Sequence, residues 1–125
     1  MKGELEAPIQ AAIRGAVCAL GWARLRRNMT GETQTPWGGY LRYGLGKGGA
    51  DLVGWVTLPS GIARVLCIEV KRAGERPDPD QVRWLSTVNK HGGAAAVCRS
   101  AETAVAFAER ARAGEFFTGA GPHGL

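Results

Sequence analysis

Two short apolar runs most constrain how this chain can fold. Gly49-Ala50-Asp51-Leu52-Val53 and Cys67-Ile68-Glu69-Val70-Lys71 have the composition of buried strands, yet both carry ionisable side chains. A charge held inside a strand costs about several kcal/mol unless it is paired or binds a metal. Asp51, Glu69 and Lys71 therefore call for one common explanation.

Length limits that explanation. A chain of 125 residues is enough for one core and too short for two independent ones. With 45% hydrophobic and 22% charged residues it reads as an ordinary soluble domain. No apolar run approaches the roughly 20 residues of a membrane span, and Met1 to Glu6 has no secretory pattern, so a cytoplasmic protein is expected. A net charge of +5 leans toward a polyanionic partner. Cys18, Cys67 and Cys98 are odd in number and set among apolar neighbours, which predicts buried reduced thiols rather than disulfides or zinc. His91 and His123 stand beside glycine without metal-ligand spacing and read as solvated loop residues.

Local patterns give the order of elements. Ile9, Ile13, Val17 and Leu20 recur at helical spacing up to a stop at Gly21, with Pro8 expected in the first turn. Glu6 then lies on the inward stripe, while Glu4 is the more exposed of the two. Trp22 to Arg27 alternates apolar and basic residues like a half-exposed strand. Its arginines Arg24, Arg26 and Arg27 either follow a phosphate backbone or form a solvated face. Met29 to Gly49 is a Gly- and aromatic-rich loop or hairpin in which Arg42 and Lys47 accompany Trp37, Tyr40 and Tyr43, a mixture suited to nucleic acid or to a second subunit.

Leu52–Leu58 and Ile62–Val70 flank the turn Pro59-Ser60-Gly61 and predict an antiparallel hairpin. Alternation puts Val65, Cys67, Glu69 and Lys71 on one face of a central, buried strand. Asp78-Pro79-Asp80-Gln81 has the form of a capping box opening a helix that runs through Val82, with Trp84, Leu85 and Val88 assigned to the core and Gly92-Gly93 as its stop. Ala94–Arg99 is a strand, and Ser100 caps a last helix expected to turn Ala101, Val105, Ala108 and Ala111 inward. The result is an α/β (α+β) domain over residues 1–113, order αβββαβα, with a flexible Gly-rich tail over 114–125.

Paired carboxylates at the ends of adjacent strands are the hard oxygen ligands that Mg²⁺ or Mn²⁺ takes, and a neighbouring lysine can stabilise an attacking hydroxide or developing phosphorane charge. Glu6, Gly46 to Leu52, Ile68-Glu69-Val70-Lys71, Gln81 with Trp84-Leu85, and Gly92-Gly93 before a strand together resemble the VRR-NUC (virus-type replication-repair nuclease) group of the PD-(D/E)xK superfamily. The resemblance runs from about Glu6 to Ser100 and implies a restriction-endonuclease-like core with a central mixed sheet flanked by helices. It implies Asp51, Glu69 and the Val70 carbonyl as metal ligands, Glu6 as a helix-borne acid completing the site, and Lys71 as the catalytic lysine. Gln81 falls where the family has a site glutamine, and it equally closes the capping box. Ala50 stands where the family usually has proline. The implied activity is phosphodiester hydrolysis on branched, flapped or Holliday-junction DNA in phage or bacterial replication and repair, by a homodimer with no small-molecule cofactor and no membrane partner. The competing reading is a non-catalytic nucleic-acid-binding module on the same fold.

Overall fold

The computed structural model describes residues 2–122, with side chains from Glu6 onward. The elements are α1 (Lys2–Cys18), β1 (Ala23–Arg27), β2 (Gly31–Gln34), β3 (Tyr40–Tyr43), β4 (Leu52–Thr57), β5 (Ala63–Val70), α2 (Pro79–Lys90), β6 (Ala94–Cys98) and α3 (Ala101–Arg112). Four strands form one mixed sheet in the order β1-β4-β5-β6, antiparallel except for the parallel β5–β6 pair. This is the expected αβββαβα core. The segment after β1 adds to it a separate two-stranded antiparallel ribbon, β2–β3.

β5 is central because both of its faces are apolar and both are covered. Leu66, Ile68 and Val70 pack with Ile13 and Val17 of α1 and Phe107 and Ala108 of α3. On the other face, Cys67 packs with Leu85 of α2 and with Ala95 and Val97 of β6. Val82, Trp84 and Val88 are only half-buried against this second cluster. Burial pushes the Cys67 and Cys98 thiols up to about 12, so both are unreactive, and none of the three cysteines is in a disulfide. Arg64 is buried at the far end of β5, where it donates to the carbonyls of Gly92 (2.9 Å), Ala111 (2.8 Å) and Gly93 (3.2 Å). It thereby supplies donors to the carbonyls of the turn after α2 and a further donor to Ala111 O, which also accepts from the Gly114 N–H at 3.1 Å.

Three local expectations need correction. Pro8 lies inside α1 rather than in its first turn, because the helix begins earlier, at Lys2. In α3 the buried stripe is Ala104, Phe107, Ala108 and Ala111, while Ala101 and Val105 are half-buried. A Phe at position 107 contributes the most apolar surface, so the helix rotates to bury it. The glycine-rich tail returns to the fold over residues 114–122 instead of standing apart. Phe117 packs on Phe107 with ring centroids 4.7 Å apart, and buried Asn89 donates both to Ala95 O and to Gly119 O at 2.9 Å. Gly121 passes so close to β6 that a Cβ there would sit 2.5 Å from Ala95 O, a position only glycine can occupy without displacement. His123 and the side chain of Glu4 lie outside the described residues.

Candidate active site

The site forms where β4 begins and β5 ends. The β4–β5 register pairs Leu52 with Ile68, and one step further along it sets Asp51 opposite Glu69. Asp51 Oδ2 accepts a hydrogen bond from the Val70 N–H at 2.8 Å, so the carboxylate is fixed by the backbone of the strand carrying its partner. Beyond the last residue of β5, the Lys71 N–H still donates to Cys98 O at 3.2 Å, which holds Lys71 in line with the sheet. Glu69 and Lys71 are 1% and 3% exposed, and Lys71 Nζ lies 3.6 Å from Glu69 Oε2.

Gln81 caps its helix and also touches Glu69. Its N–H donates to Asp78 Oδ1 and its Oε1 accepts from the Asp78 N–H, each at 2.9 Å, which completes the capping box. Its Nε2 then donates to Glu69 Oε2 at 3.0 Å. The cap thus delivers an amide donor to the carboxylate. Glu69 Oε1 is left buried with no hydrogen-bond donor among the described residues.

The electrostatics match that geometry. Burial, then the neighbouring Asp51 charge and the contact with its carboxyl, push Glu69 up to about 8, and Lys71 offsets only part of this. Two carboxyls can share a hydrogen bond only while one of them keeps a proton. A buried oxygen without a donor beside a second carboxylate suits a hard divalent cation, which would replace that proton.

Glu6 is placed differently. It lines the same cleft as Asp51, but its carboxyl also contacts Glu75 and lies beside Arg72. The Arg72 guanidinium, 2.6 Å from Glu75 Oε1, holds Glu75 down at about 2. Among the described residues no three His, Cys, Asp or Glu side chains are close enough to hold a metal together, so Asp51 and Glu69 stand as a pair.

The basic residues separate into groups. Arg24 and Arg26 are exposed on the sheet face that carries Val53 and Trp55, whereas Arg27 lines the clefts beside Asp51. Across the site, Arg42 is paired with Glu32 at 2.9 Å and Lys47 with Asp80 at 3.2 Å. A cleft of about 600 Å³ between the β2–β3 ribbon and the start of α2 is lined by Arg42, Tyr43, Lys47, Asp51 and Gln81, among others. A second cleft, of about 400 Å³, opens between α1 and β1. An apolar hollow of about 420 Å³ around Ile62, Val65 and Phe116 has no carboxylate in its lining.

Sequence reasoning missed Asn28. Its N–H donates to Asp51 O (2.8 Å), its Nδ2 donates to Ala50 O (3.0 Å), and its Oδ1 accepts from the Leu45 N–H (3.3 Å). One side chain therefore fixes both the backbone before Asp51 and the loop after β3. An asparagine ending a basic strand was the only local signal, and nothing nearby in sequence identifies its partners.

Carboxylates opposed across the ends of two strands, with a lysine one alternation further on, define the core of a nuclease of the PD-(D/E)xK type. The chain belongs to the VRR-NUC family, since the VRR-NUC domain profile matches residues 21–102. The matched span includes Asp51, Glu69, Lys71 and Gln81 and leaves out α1 with Glu6. Searches of curated proteins and of solved structures returned no match. Among the described residues no helix is long and apolar enough to cross a membrane.

Proposed function

We propose that the protein is a Mg²⁺- or Mn²⁺-dependent DNA endonuclease that hydrolyses phosphodiester bonds in branched, flapped or Holliday-junction DNA. It would act as a homodimer during bacterial or phage replication and repair, in the cytoplasm of the cell that makes it. The observation that carries this reading is Asp51 set opposite Glu69, with Lys71 Nζ 3.6 Å from the Glu69 carboxylate. Asp51, Glu69 and the Val70 carbonyl would hold the cation, with Glu6 reaching it from α1 through water. The bound cation supplies a polarised phosphoryl oxygen and an acidified water.

The remaining roles fall to the chain itself. Lys71, buried and aimed at the same point, stabilises the attacking hydroxide and the charge gathering on phosphorus as the leaving P–O bond breaks. Gln81 holds Glu69 Oε2 and so leaves Oε1 as the oxygen that would be available to a cation. The exposed Arg24, Arg26, Arg27, Arg42 and Lys47 meet the phosphate backbone.

Purified protein incubated with Mn²⁺ and labelled linear duplex, single strand, flap and four-way junction tests this. Cleavage should favour the branched substrates and disappear in Lys71→Ala and Glu69→Ala, both still folded. Full activity in both variants sinks the assignment. Salt-dependent binding with no product under either metal would leave the non-catalytic module in its place.

A further inference from the structure

The cleft between α1 and β1 contains a feature that the metal site does not use. Glu6, Gln10 and Arg14 recur every four residues, so they share one stripe of α1. That stripe faces the cleft, where Arg27 from the end of β1 and Asp51 complete the wall. Arg27 is held there by register, being paired with Leu52, the residue after Asp51.

The two guanidinium groups differ from the other cations around Asp51. Arg42 is paired with Glu32, Lys47 with Asp80 and Lys71 with Glu69. Arg14 and Arg27 are exposed and, among the described residues, make no ion pair and no side-chain hydrogen bond. Neither forms a salt bridge with Glu6 or Asp51 across the cleft they share, so both keep their full donor capacity. A guanidinium offers a planar fork that matches two phosphate oxygens.

We propose that Arg14 and Arg27 form a phosphate subsite for the backbone phosphodiester next to the one placed over Asp51 and Glu69. The subsite rests on the nucleic-acid reading of the active site and adds to it a direction. The bound strand enters along the α1 stripe, crosses Asp51 and continues into the larger cleft beside the β2–β3 ribbon. Gln10, between Glu6 and Arg14 on the stripe, can reach a phosphate oxygen.

Binding can be measured without cleavage, using a fluorescein-labelled flap duplex with Ca²⁺ in place of Mg²⁺. Arg14→Ala and Arg27→Ala should each weaken binding about fivefold to tenfold, and the double variant should lower the slope of log K against log salt by about one to two. Lys90→Ala, which removes an exposed charge at the end of α2, should leave the slope unchanged. In a scan replacing each phosphate in turn by a neutral methylphosphonate, the wild type should show a penalty at one position next to the scissile phosphate. The double variant should lose that penalty and keep the others.

Equal methylphosphonate profiles for wild type and double variant, or a double variant with wild-type affinity and salt slope, would overturn the subsite. Where cleavage is observed, the double variant should raise KM with little change in kcat. A protein that binds as described and never cleaves fails the proposed function while keeping the subsite. One that cleaves with an unaltered methylphosphonate profile does the reverse.

Discussion

Glu69→Gln should make the metal-free protein more stable at alkaline pH and leave its stability nearly unchanged in acid. Glu69 titrates at about 8 instead of its ordinary 4.5 because burial and the Asp51 charge outweigh Lys71. Below 4.5 the folded and unfolded chains both hold the proton, so the group contributes no pH dependence. Between 4.5 and about 8 the folded state keeps a proton that the unfolded chain has released, so stability falls as pH rises. Above about 8 both states are ionised and the loss is complete, with an upper bound of about 5 kcal/mol. Because the amide gives up the attraction to Lys71, the expected net gain for the variant near pH 9 is about 2 kcal/mol.

An amide in place of the carboxylate can still accept from Gln81 and can donate toward Asp51, so the substitution removes repulsion without opening a cavity. Thermal unfolding in EDTA should show the variant about 6–10 °C above wild type near pH 9, with the gap closing near pH 5. Adding Mg²⁺ should raise the wild-type midpoint at alkaline pH, since binding to the native state alone is stabilising, and should have much less effect on the variant. A gap between the two proteins that is the same at both pH values would refute the account of Glu69 as a buried, repelled carboxyl.

Asn28→Ala removes the donor to Ala50 O and the acceptor for the Leu45 N–H, and should cost about 1–2 kcal/mol by urea unfolding. Because the same side chain fixes the approach to Asp51, weaker Mg²⁺ binding by calorimetry should accompany that loss, whereas a stability change with unaltered metal affinity would limit Asn28 to the loop. Arg64→Ala removes the guanidinium donors to Gly92 O, Gly93 O and Ala111 O and should cost about 3 kcal/mol, with cleavage per folded molecule unchanged because the residue lies at the opposite end of β5. Arg64→Lys should recover only part of it, since an ammonium cannot reproduce the fork.

What could be read from the sequence follows from how local the determining contacts are. Strand alternation and the turn at Pro59-Ser60-Gly61 fix which way Glu69 and Lys71 point and which residues lie across from them, so the pairing of Asp51 with Glu69 needed only period two and a hairpin. The start of α2 was equally local, because Asp78 and Gln81 cap one another within four residues. Where the deciding contact is distant, the sequence was silent. Asn28 meets Ala50, Asn89 meets Gly119 and Arg64 meets Ala111, and each of these side chains would be equally acceptable on a solvated surface.

Glu6 and Arg14 show the intermediate case. Helical periodicity puts both on one stripe of α1, but the partners of that stripe depend on how the helix docks over the sheet. The docking brings the Glu6 carboxyl to Arg72 and Glu75 while leaving Arg14 open beside Arg27. On pattern alone the acid was the more prominent residue and the arginine passed unnoticed. Phosphate recognition on α1 therefore depends on tertiary placement, whereas the carboxylate pair on β4 and β5 depends on register. That difference explains why the pairing of Asp51 with Glu69 could be read from the sequence and the meeting of Arg14 with Arg27 could not.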